Sequence, residues 1–327
     1  MLIFKRYLSH PAQLGFAFDI DGVLIRGAKV LPQGVKMLKL LQEKKCPFIL
    51  LTNGGGVTEA RKAAELSSKF NLPLNPKQIV LSHSPMQRLA SKYGDKPVLI
   101  VGKDTCREVA LSYGFKHVVT TDDIYEWNHT VWPFKNPPSN RRTDLNLENL
   151  QIAAIMMFYD SWDWGKDMQI MCDLLRSNQG KLGTLTNEPS KQSNSDFVWS
   201  NDYPLTRFAQ GAFRISLEAV YKRLTGNQLE YTRFGKPEAE TYRYAEDLLD
   251  NISDEMWPEH THVQRTVYAI GDNPASDIKG ANDHGWESIL VRTGVWDESH
   301  GHDHDAKYLV HDVEEAVMLA LEKEKLV

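Results

Sequence analysis

The sequence has few cysteines, little excess charge and no long apolar run. Its cysteines, Cys46, Cys106 and Cys172, are odd in number and lack metal-site or C-x-x-C spacing, which argues against a disulfide framework. The formal net charge of −5 gives no global basic field, so nucleic acid is not an expected partner. No apolar run approaches the roughly 20 residues that cross a bilayer, so we expect no integral membrane protein.

The 327 residues are 42% hydrophobic, which is enough for a packed interior and for more than one domain. Short apolar runs alternate with amphipathic segments, the pattern of a doubly wound α/β fold with a parallel sheet. Amphipathic helices are predicted at 34–45 and 58–70. The strands predicted around them, and again late in the chain, are 16–18, 47–51, 79–81, 266–270 and 288–291, the last two ending in glycine-bearing turns.

The middle of the chain has a different texture and predicts a second domain. It contains strand-like runs at 97–101 and 152–158, separated by a proline-rich loop at 136–142 and followed by a polar stretch at 187–195. The simplest partition is a discontinuous α/β core, 14–85 with 206–327, into which 86–205 is inserted. An insertion of that size at a core loop is expected to form a lid.

Residues 1–13 are predicted to be an N-terminal extension. The first ten are basic and apolar, and no acidic residue precedes Asp19. This composition is typical of a mitochondrial presequence or its remnant. The alternative is an ordinary extension on a cytoplasmic protein.

Two pairs of carboxylates follow predicted strands. Asp19 and Asp21 come after the first strand, where alternate side chains share a face, and Gly22 allows the chain to turn away. Asp272 and Asp277 lie in the turn after residues 266–270. Because ligands bind outside the carboxyl ends of parallel strands, these acids should converge. Four carboxylates in one crevice repel one another, and Mg²⁺, a hard cation that prefers oxygen ligands, is the expected remedy.

Two further segments complete the predicted site. Thr52, Asn53 and the amide of Gly54 follow the second strand and are expected to hold phosphate oxygens. Lys236 precedes Pro237, which we place in the first turn of a helix, and it would supply a point charge for a phosphoryl group. A surface lysine at a helix start is the alternative for an isolated G-K-P.

Taken in order, these four motifs resemble those of the haloacid dehalogenase-like (HAD) hydrolase superfamily: D-I-D-G-V from Asp19, T-N at Thr52, G-K-P around Lys236, and G-D-N-P-A-S-D ending at Asp277. The resemblance covers nearly the whole chain and implies a Rossmann-like core. The insertion resembles the α/β cap of subclass IIA, the nitrophenylphosphatase-like proteins. Segments 51–56, 163–167, 210–213 and 271–274 are similar to the group of fungal mitochondrial members and the vertebrate cat-eye-syndrome critical region protein.

The resemblance implies a role for each motif residue. Asp19 would be the nucleophile, and Asp21 the acid that protonates the leaving oxygen and then activates water. Lys236 would balance the charge of the phosphate oxygens. Asp19, the backbone carbonyl of Asp21 and Asp272 would hold Mg²⁺, with Asp277 as a ligand or as support for the ligands.

The predicted function is therefore a Mg²⁺-dependent phosphatase that acts on a small phosphorylated metabolite through an aspartyl-phosphate, with a phospholipid head-group phosphate among the candidates. A phosphotransferase or phosphomutase would use the same residues. A binding protein with a HAD fold is a third reading, although it would be expected to have lost part of the site. A true dehalogenase has no use for the metal site.

Two other clusters attract attention. Asp160, Trp162, Asp163 and Trp164 follow the strand at 152–158 and are the first candidates for recognising the leaving group, with packing of the inserted domain as the alternative. His300, His302 and His304 alternate like metal ligands, but a Gly- and Asp-rich setting favours an exposed loop.

Overall fold

The structure, a computed structural model, describes residues 10–134, 147, 149–185, 198–199, 207–208, 210–261, 263–296 and 305–326. The first nine residues of the predicted presequence, the loops at 136–142 and 187–195, and the histidines His300, His302 and His304 lie outside the described residues. No helix within the described part of the chain is long and apolar enough to cross a membrane.

The strands are short and mostly buried. They are β1 (Leu14–Phe18), β2 (Ile25–Arg26), β3 (Lys29–Val30), β4 (Phe48–Leu51), β5 (Ile79–Val80), β6 (Pro97–Val101), β7 (His117–Thr120), β8 (Ala154–Met157), β9 (Val198–Trp199), β10 (Arg207–Phe208), β11 (Thr266–Gly271), β12 (Glu287–Val291) and β13 (Tyr308–Val310).

The α-helices alternate with these strands, and a short π-helical turn, Pro274–Ile278, follows β11. They are α1 (Pro32–Glu43), α2 (Glu59–Phe70), α3 (Ala90–Tyr93), α4 (Cys106–Ser112), α5 (Thr121–Trp127), α6 (Trp164–Leu175), α7 (Gln210–Thr225), α8 (Ala239–Met256), α9 (Lys279–His284) and α10 (Val313–Lys323).

The first compact unit comprises Met1–Asn53, Glu59–Leu81 and Lys236–Val327. Its sheet has the order β13-β12-β11-β1-β4-β5, and all neighbouring strands are parallel. β1 is buried throughout because sheet neighbours flank it on both edges and helices cover its faces. On one face Ala17 and Ile49 pack with Ala245 and Leu249 of α8. The predicted α/β class with a parallel sheet is confirmed.

The strand order places three functional turns side by side. β1 lies between β11 and β4, with Phe18 in register with Ile270 on one side and with Leu50 on the other. The strands run in one direction, so the residues that follow them emerge at one edge of the sheet. The predicted convergence therefore has a direct topological cause.

The second compact unit comprises Gly54–Thr58 and Ser82–Gly235. Its sheet has the order β7-β6-β8, again parallel. In α7, the side chains of Phe213, Leu217 and Tyr221 are spaced four residues apart and join the apolar cluster around Leu99 and Val101 of β6.

This packing moves the boundaries away from the predicted ones. Residues 206–235 belong with the second unit because α7 buries its apolar face there, whereas the prediction assigned them to the core. The short segments 54–58 and 82–85 also belong to the second unit.

Candidate active site

Three carboxylates meet beyond β1 and β11. Asp19 follows β1 directly, and its backbone N–H donates to the carbonyl of Ile270 at 2.9 Å, which extends the strand pairing by one residue. Asp272 follows the last residue of β11, and Asp277 lies in the π-helical turn. One carboxylate oxygen from each residue lies within 4.8 Å of those of the other two. The turns predicted to converge do so.

Lys236 bridges this cluster. Its ammonium donates to Asp19 Oδ1 and to Asp277 Oδ1, each at 2.5 Å, and the side chain is almost completely buried. Burial opposes the charged form, but the carboxylates of Asp19 and Asp277 outweigh it and raise the pKa of Lys236 well above its ordinary value. The lysine is therefore a permanent cation in the site.

Asp277 is engaged by donors on both of its oxygens. Oδ1 accepts from Lys236, and Oδ2 accepts the backbone N–H groups of Asp272 at 3.1 Å and Asn273 at 3.0 Å. Charge-assisted hydrogen bonds of this kind are strong and directional. Asp277 thus fixes both the lysine head and the start of the turn that carries Asp272.

Asp272 sits in a cradle of main chain. Its Oδ2 accepts the Val295 N–H at 2.7 Å. A Cβ on Gly22 or Gly294 would come within 2.3 Å or 1.8 Å of the same oxygen, and Gly22 has a φ of +94°, so both positions require glycine. Burial, reinforced by the charge of Asp277, raises the pKa of Asp272 to about 7.

Asp19 has the same electrostatic environment. Burial raises its pKa well above the ordinary value, Lys236 opposes the shift, and Asp277, Asp272 and Asp21 add to it. One lysine therefore faces three buried carboxylates, and ionisation of all three would leave negative charge in excess. Hard oxygen donors with an uncompensated negative charge fit a divalent cation such as Mg²⁺. The predicted metal is chemically compatible with this cluster.

The Asn53 side chain is hydrogen-bonded to the main chain at Lys236. Its side-chain Oδ1 accepts the backbone N–H of Lys236 at 2.6 Å, and its Nδ2 donates to the Lys236 carbonyl at 3.1 Å. The amide thus pairs with both main-chain polar groups of Lys236, much as a neighbouring strand would. These bonds hold the main chain that carries Lys236, and the expected contact of Asn53 with phosphate oxygens stays a prediction.

The remaining core motif residues are Thr52, Asp21 and Gly54. Thr52 is buried at the end of β4, where its N–H donates to the Val80 carbonyl at 3.0 Å. Asp21 is exposed, and the turn after it is closed by the Gly22 N–H donating to the Ile25 carbonyl at 2.6 Å. Gly54 is the first residue of the second unit.

Pro237 differs from the prediction in position. α8 begins at Ala239 with Glu238 as its N-cap, so Pro237 precedes the helix instead of forming its first turn. The orientation of Lys236 comes from Asn53 and from the carboxylates that its ammonium contacts.

Four residues of the second unit were predicted to recognise the leaving group, and the structure separates them. The Trp162 side chain is 79% exposed. Trp164 packs edge-on against Phe213 at 5.3 Å and donates its indole N–H to the Ser161 carbonyl. Asp163 caps α6 by accepting the Lys166 N–H, and Asp160 is half-buried.

Two contributions were missed by sequence reasoning. The turn after β12 supplies the Val295 N–H to Asp272, and its Thr293 hydroxyl donates to the Gly22 carbonyl at 2.5 Å. Tyr242 of α8 donates its hydroxyl toward the carbonyls of Ser276 and Asp277. The glycine-bearing end of the strand at 288–291 was a visible signal for the first; the tyrosine had none.

Comparison with known proteins agrees with this geometry. A family model described as haloacid dehalogenase-like hydrolase matches residues 16–116, and a second, HAD-hydrolase-like, matches residues 233–316. A p-nitrophenyl phosphatase from Archaeoglobus fulgidus has a similar structure, with a TM-score of 0.61, 18% sequence identity, and coverage of 94% of this chain and 99% of that protein. At this identity the likeness concerns the fold.

Two fungal relatives are much more similar in sequence. The mitochondrial hydrolase YKR070W of Saccharomyces cerevisiae is 38% identical over 98% of this chain and 99% of its own length. A Schizosaccharomyces pombe cardiolipin synthase (CMP-forming)/mitochondrial hydrolase fusion protein is 40% identical over 95% of this chain, which spans 54% of the fusion protein. The chain therefore belongs to the haloacid dehalogenase-like hydrolases, with the fungal mitochondrial hydrolases among its relatives.

Proposed function

We propose that the protein is a Mg²⁺-dependent phosphatase that hydrolyses a small phosphate monoester through an aspartyl-phosphate on Asp19. The observation that carries this proposal is the buried Lys236 ammonium, which lies 2.5 Å from both Asp19 and Asp277 while Asp272 remains beside them. Such a cluster pairs a carboxylate nucleophile with fixed positive charge where a phosphoryl group would be transferred.

In the first step, an Asp19 oxygen bonds to phosphorus as the ester P–O bond breaks. The leaving oxygen takes a proton from Asp21. In the second step, water attacks phosphorus and gives a proton back to Asp21, which releases inorganic phosphate and regenerates the Asp19 carboxylate. The exposure of Asp21 agrees with a group that exchanges protons with substrate and water.

Asp19, the backbone carbonyl of Asp21 and Asp272 would hold Mg²⁺. Bound there, the metal would neutralise charge on the phosphoryl oxygens. Asp277 is assigned as support for the ligands, because its two oxygens already accept from Lys236 and from the backbone. Charge balance at the phosphate falls to Lys236.

Thr52 and the Gly54 amide would contact phosphate oxygens. The Asn53 side chain is assigned a positioning role, since both of its polar atoms hold the Lys236 peptide unit. A direct contact between this side chain and phosphate is not needed for the role.

We assign the first compact unit as the catalytic core and the second as the cap domain of the subclass. Among the cap residues, Trp162 is the candidate for contacting the leaving group because its indole is exposed, whereas Trp164 and Asp163 serve packing and helix capping. Trp162→Ala should change relative rates among phosphate esters by severalfold and leave acetyl phosphate hydrolysis nearly constant. A parallel change for all substrates would remove Trp162 from recognition, and Trp164→Phe provides the packing control.

The mitochondrial relatives support a mitochondrial location for this protein. The fused cardiolipin synthase in one of them supports testing phospholipid head-group phosphates as substrates, together with other small phosphate esters.

The decisive experiment is a phosphate-release screen over phosphorylated sugars, nucleotides, pyridoxal phosphate, glycerol phosphates and head-group phosphates, with and without Mg²⁺. Folded Asp19→Asn protein is the control. We expect Mg²⁺-dependent release that the control lacks. Adding acceptor alcohols distinguishes a phosphotransferase, which would form a transfer product at the expense of free phosphate. Absence of release and of transfer product across the panel would contradict the proposal.

A further inference from the structure

The segment Gly54–Thr58, called here the glycine segment, directly follows Asn53 in the chain. It is inserted between β4 and α2, both of which belong to the first unit, yet its contacts place it in the second unit. The glycine segment therefore continues the main chain from Thr52 and Asn53, the predicted phosphate-binding residues, but residues of the second unit fix its conformation.

Three hydrogen bonds fix its main chain. The Gly54 carbonyl accepts the Ser82 N–H at 3.1 Å. The Gly56 N–H donates to His83 Nε2 at 3.0 Å, and the Gly56 carbonyl accepts from the Thr105 hydroxyl. The fit is close, because a methyl group at Gly55 would lie 2.9 Å from the His83 ring. Both main-chain polar groups of Gly56 are thus held by side chains.

His83 is itself rigidly held. It is completely buried, its ring stacks on Phe158 with centroids 5.2 Å apart, and its Nδ1 lies 2.8 Å from the Tyr113 hydroxyl. Because Nε2 accepts the Gly56 N–H, the ring proton must reside on Nδ1. Burial, with a further contribution from Lys103, lowers the pKa of His83 to about 3, so the acceptor is present throughout the physiological range.

Buried His83 and half-buried Thr105 thus hold two main-chain groups of one short segment. A histidine at this place could be replaced by an apolar ring if filling space were sufficient. Burying the two ring nitrogens of His83 costs free energy, and in return one of them fixes the conformation of Gly56. Gly56 lies two residues after Gly54, the glycine assigned to phosphate binding.

We propose that His83 and Thr105 are positioning residues for phosphate binding, which hold the glycine segment so that the main chain at Gly54 is ordered before the substrate arrives. The inference rests on the proposed function for the site. Neither residue contacts the substrate. They act through the Gly56 peptide, and the gain is a smaller ordering cost when phosphate binds.

The test uses the full chain with three variants. His83→Phe keeps an aromatic ring against Phe158 and removes the acceptor for the Gly56 N–H. Thr105→Val removes the hydroxyl at nearly constant shape. Thr225→Val is the matched control, since that hydroxyl also donates to a backbone carbonyl, that of Tyr221 in α7. The probe is inorganic phosphate, whose dissociation constant is measured by calorimetry in magnesium buffer, and KM and kcat are measured on a substrate from the screen.

We expect His83→Phe to weaken phosphate binding and raise KM by about 5- to 30-fold, with kcat within about threefold, because ordering supports the bound phosphate throughout the reaction. Thr105→Val should give the same pattern at about 3- to 10-fold. His83→Gln, which keeps a neutral acceptor, should recover most of the affinity. Thr225→Val should leave KM, kcat and the phosphate dissociation constant unchanged.

Unchanged phosphate affinity in folded Thr105→Val and His83→Phe would overturn the proposal. A lower unfolding temperature with no change in phosphate affinity or KM would overturn it as well. If His83→Phe does not fold, Thr105→Val decides the outcome. Phosphate binding is measured without turnover, so a wild-type protein that binds phosphate but hydrolyses nothing would contradict the proposed function while leaving the role of His83 open to confirmation by its variants.

Discussion

Each unit of the protein buries a lysine among aspartates, yet the two clusters are balanced differently. In the first unit the Lys236 ammonium donates to Asp19 and Asp277, and the carboxylate of Asp272 lies close to theirs. One lysine thus serves three aspartates there. In the second unit Lys166 pairs with Asp122, and its ammonium is 3.9 Å from Asp167.

The second cluster is completed by neutral groups. Asp167 accepts the Thr121 hydroxyl at 2.6 Å and the Ser161 hydroxyl at 2.8 Å, one on each oxygen. Burial raises its pKa, and these hydroxyls and Lys166 oppose the rise. A buried carboxylate satisfied by hydroxyls holds a structure together, whereas one left beside other carboxylates creates a demand for a cation. We expect charge balance, more than burial, to distinguish the candidate catalytic cluster from the structural network.

The largest expected difference is in catalysis. Asp19→Asn keeps the shape of the side chain and removes the nucleophile, so turnover should fall by at least about 1,000-fold. The matched change Asp167→Asn should leave kcat within about threefold, because it alters a structural network. Steady-state rates on the same substrate measure both. Comparable losses in the two variants would erase the distinction between the clusters.

Lysine replacements should separate rate from stability. Lys236→Met removes the charge that faces the phosphoryl group and should lower kcat/KM by about 100-fold or more. Lys166→Met should lower the free energy of unfolding by about 1–3 kcal/mol and leave the rate of the folded protein nearly unchanged. Urea unfolding and initial rates on both variants provide the measurement, and a rate loss confined to Lys166→Met would reverse the assignment.

Asn53 offers a test of positioning within the first unit. Asn53→Ala removes both bonds to the Lys236 peptide and should lower kcat by about 10- to 100-fold while leaving the ammonium in place but less constrained. Asn53→Asp retains only the acceptor for the Lys236 N–H, and its kcat should fall between those of the wild type and Asn53→Ala. A kcat equal to that of the wild type in Asn53→Ala would show that the carboxylates alone orient the lysine.

The smallest expected effect is on stability, and its size depends on pH. With a pKa of about 7 in the folded state and about 3.9 when unfolded, Asp272 retains a proton on folding between these values. The metal-free folded protein therefore loses stability as pH rises from 4 toward 7. Above pH 7 the full cost of ionising buried Asp272 lowers the free energy of unfolding. Asp272→Asn should raise the unfolding temperature in EDTA by a few degrees at pH 8 and less at pH 5.

The same variant should need at least about tenfold more Mg²⁺ for activity, since it loses a charged ligand. Thermal scans and Mg²⁺ titrations check the two halves separately. Lower stability of Asp272→Asn at pH 8 would contradict the proposed cost of burying the Asp272 carboxylate. An unchanged Mg²⁺ titration would show that Asp272 is not a ligand.

The sequence allowed the sheet and the carboxylate cluster to be predicted because both follow from local patterns. Continuous apolar runs mark β1, β4 and β11, and the acids stand immediately after two of them, so parallel topology alone brings Asp19 and Asp272 together. Lys236 also reached its expected place. These features depend on residues whose partners are set by the strand order.

The parts that were not predicted depend on which partner a side chain chooses in three dimensions. The amphipathic pattern of α7 indicates a helix but does not say which sheet it packs on, so the boundary at 205–206 was displaced. Asn53 beside Thr52 looks like a phosphate contact, and only the fold brings the Lys236 peptide to its amide. Trp162 and Trp164 have equivalent neighbours in sequence, yet one is exposed and the other packed.

The central position of β1 has a consequence for how the protein is made. Leu14–Phe18 leaves the ribosome long before one of its two sheet neighbours, β11, which comprises residues 266–271. At about 5–20 residues per second, the open edge of β1 waits roughly 10–50 s for that partner. During this interval an apolar strand has unpaired backbone groups, which makes chaperone protection valuable. A chain truncated before Thr266 would lose the strand that supports Asp19, in addition to the later carboxylates.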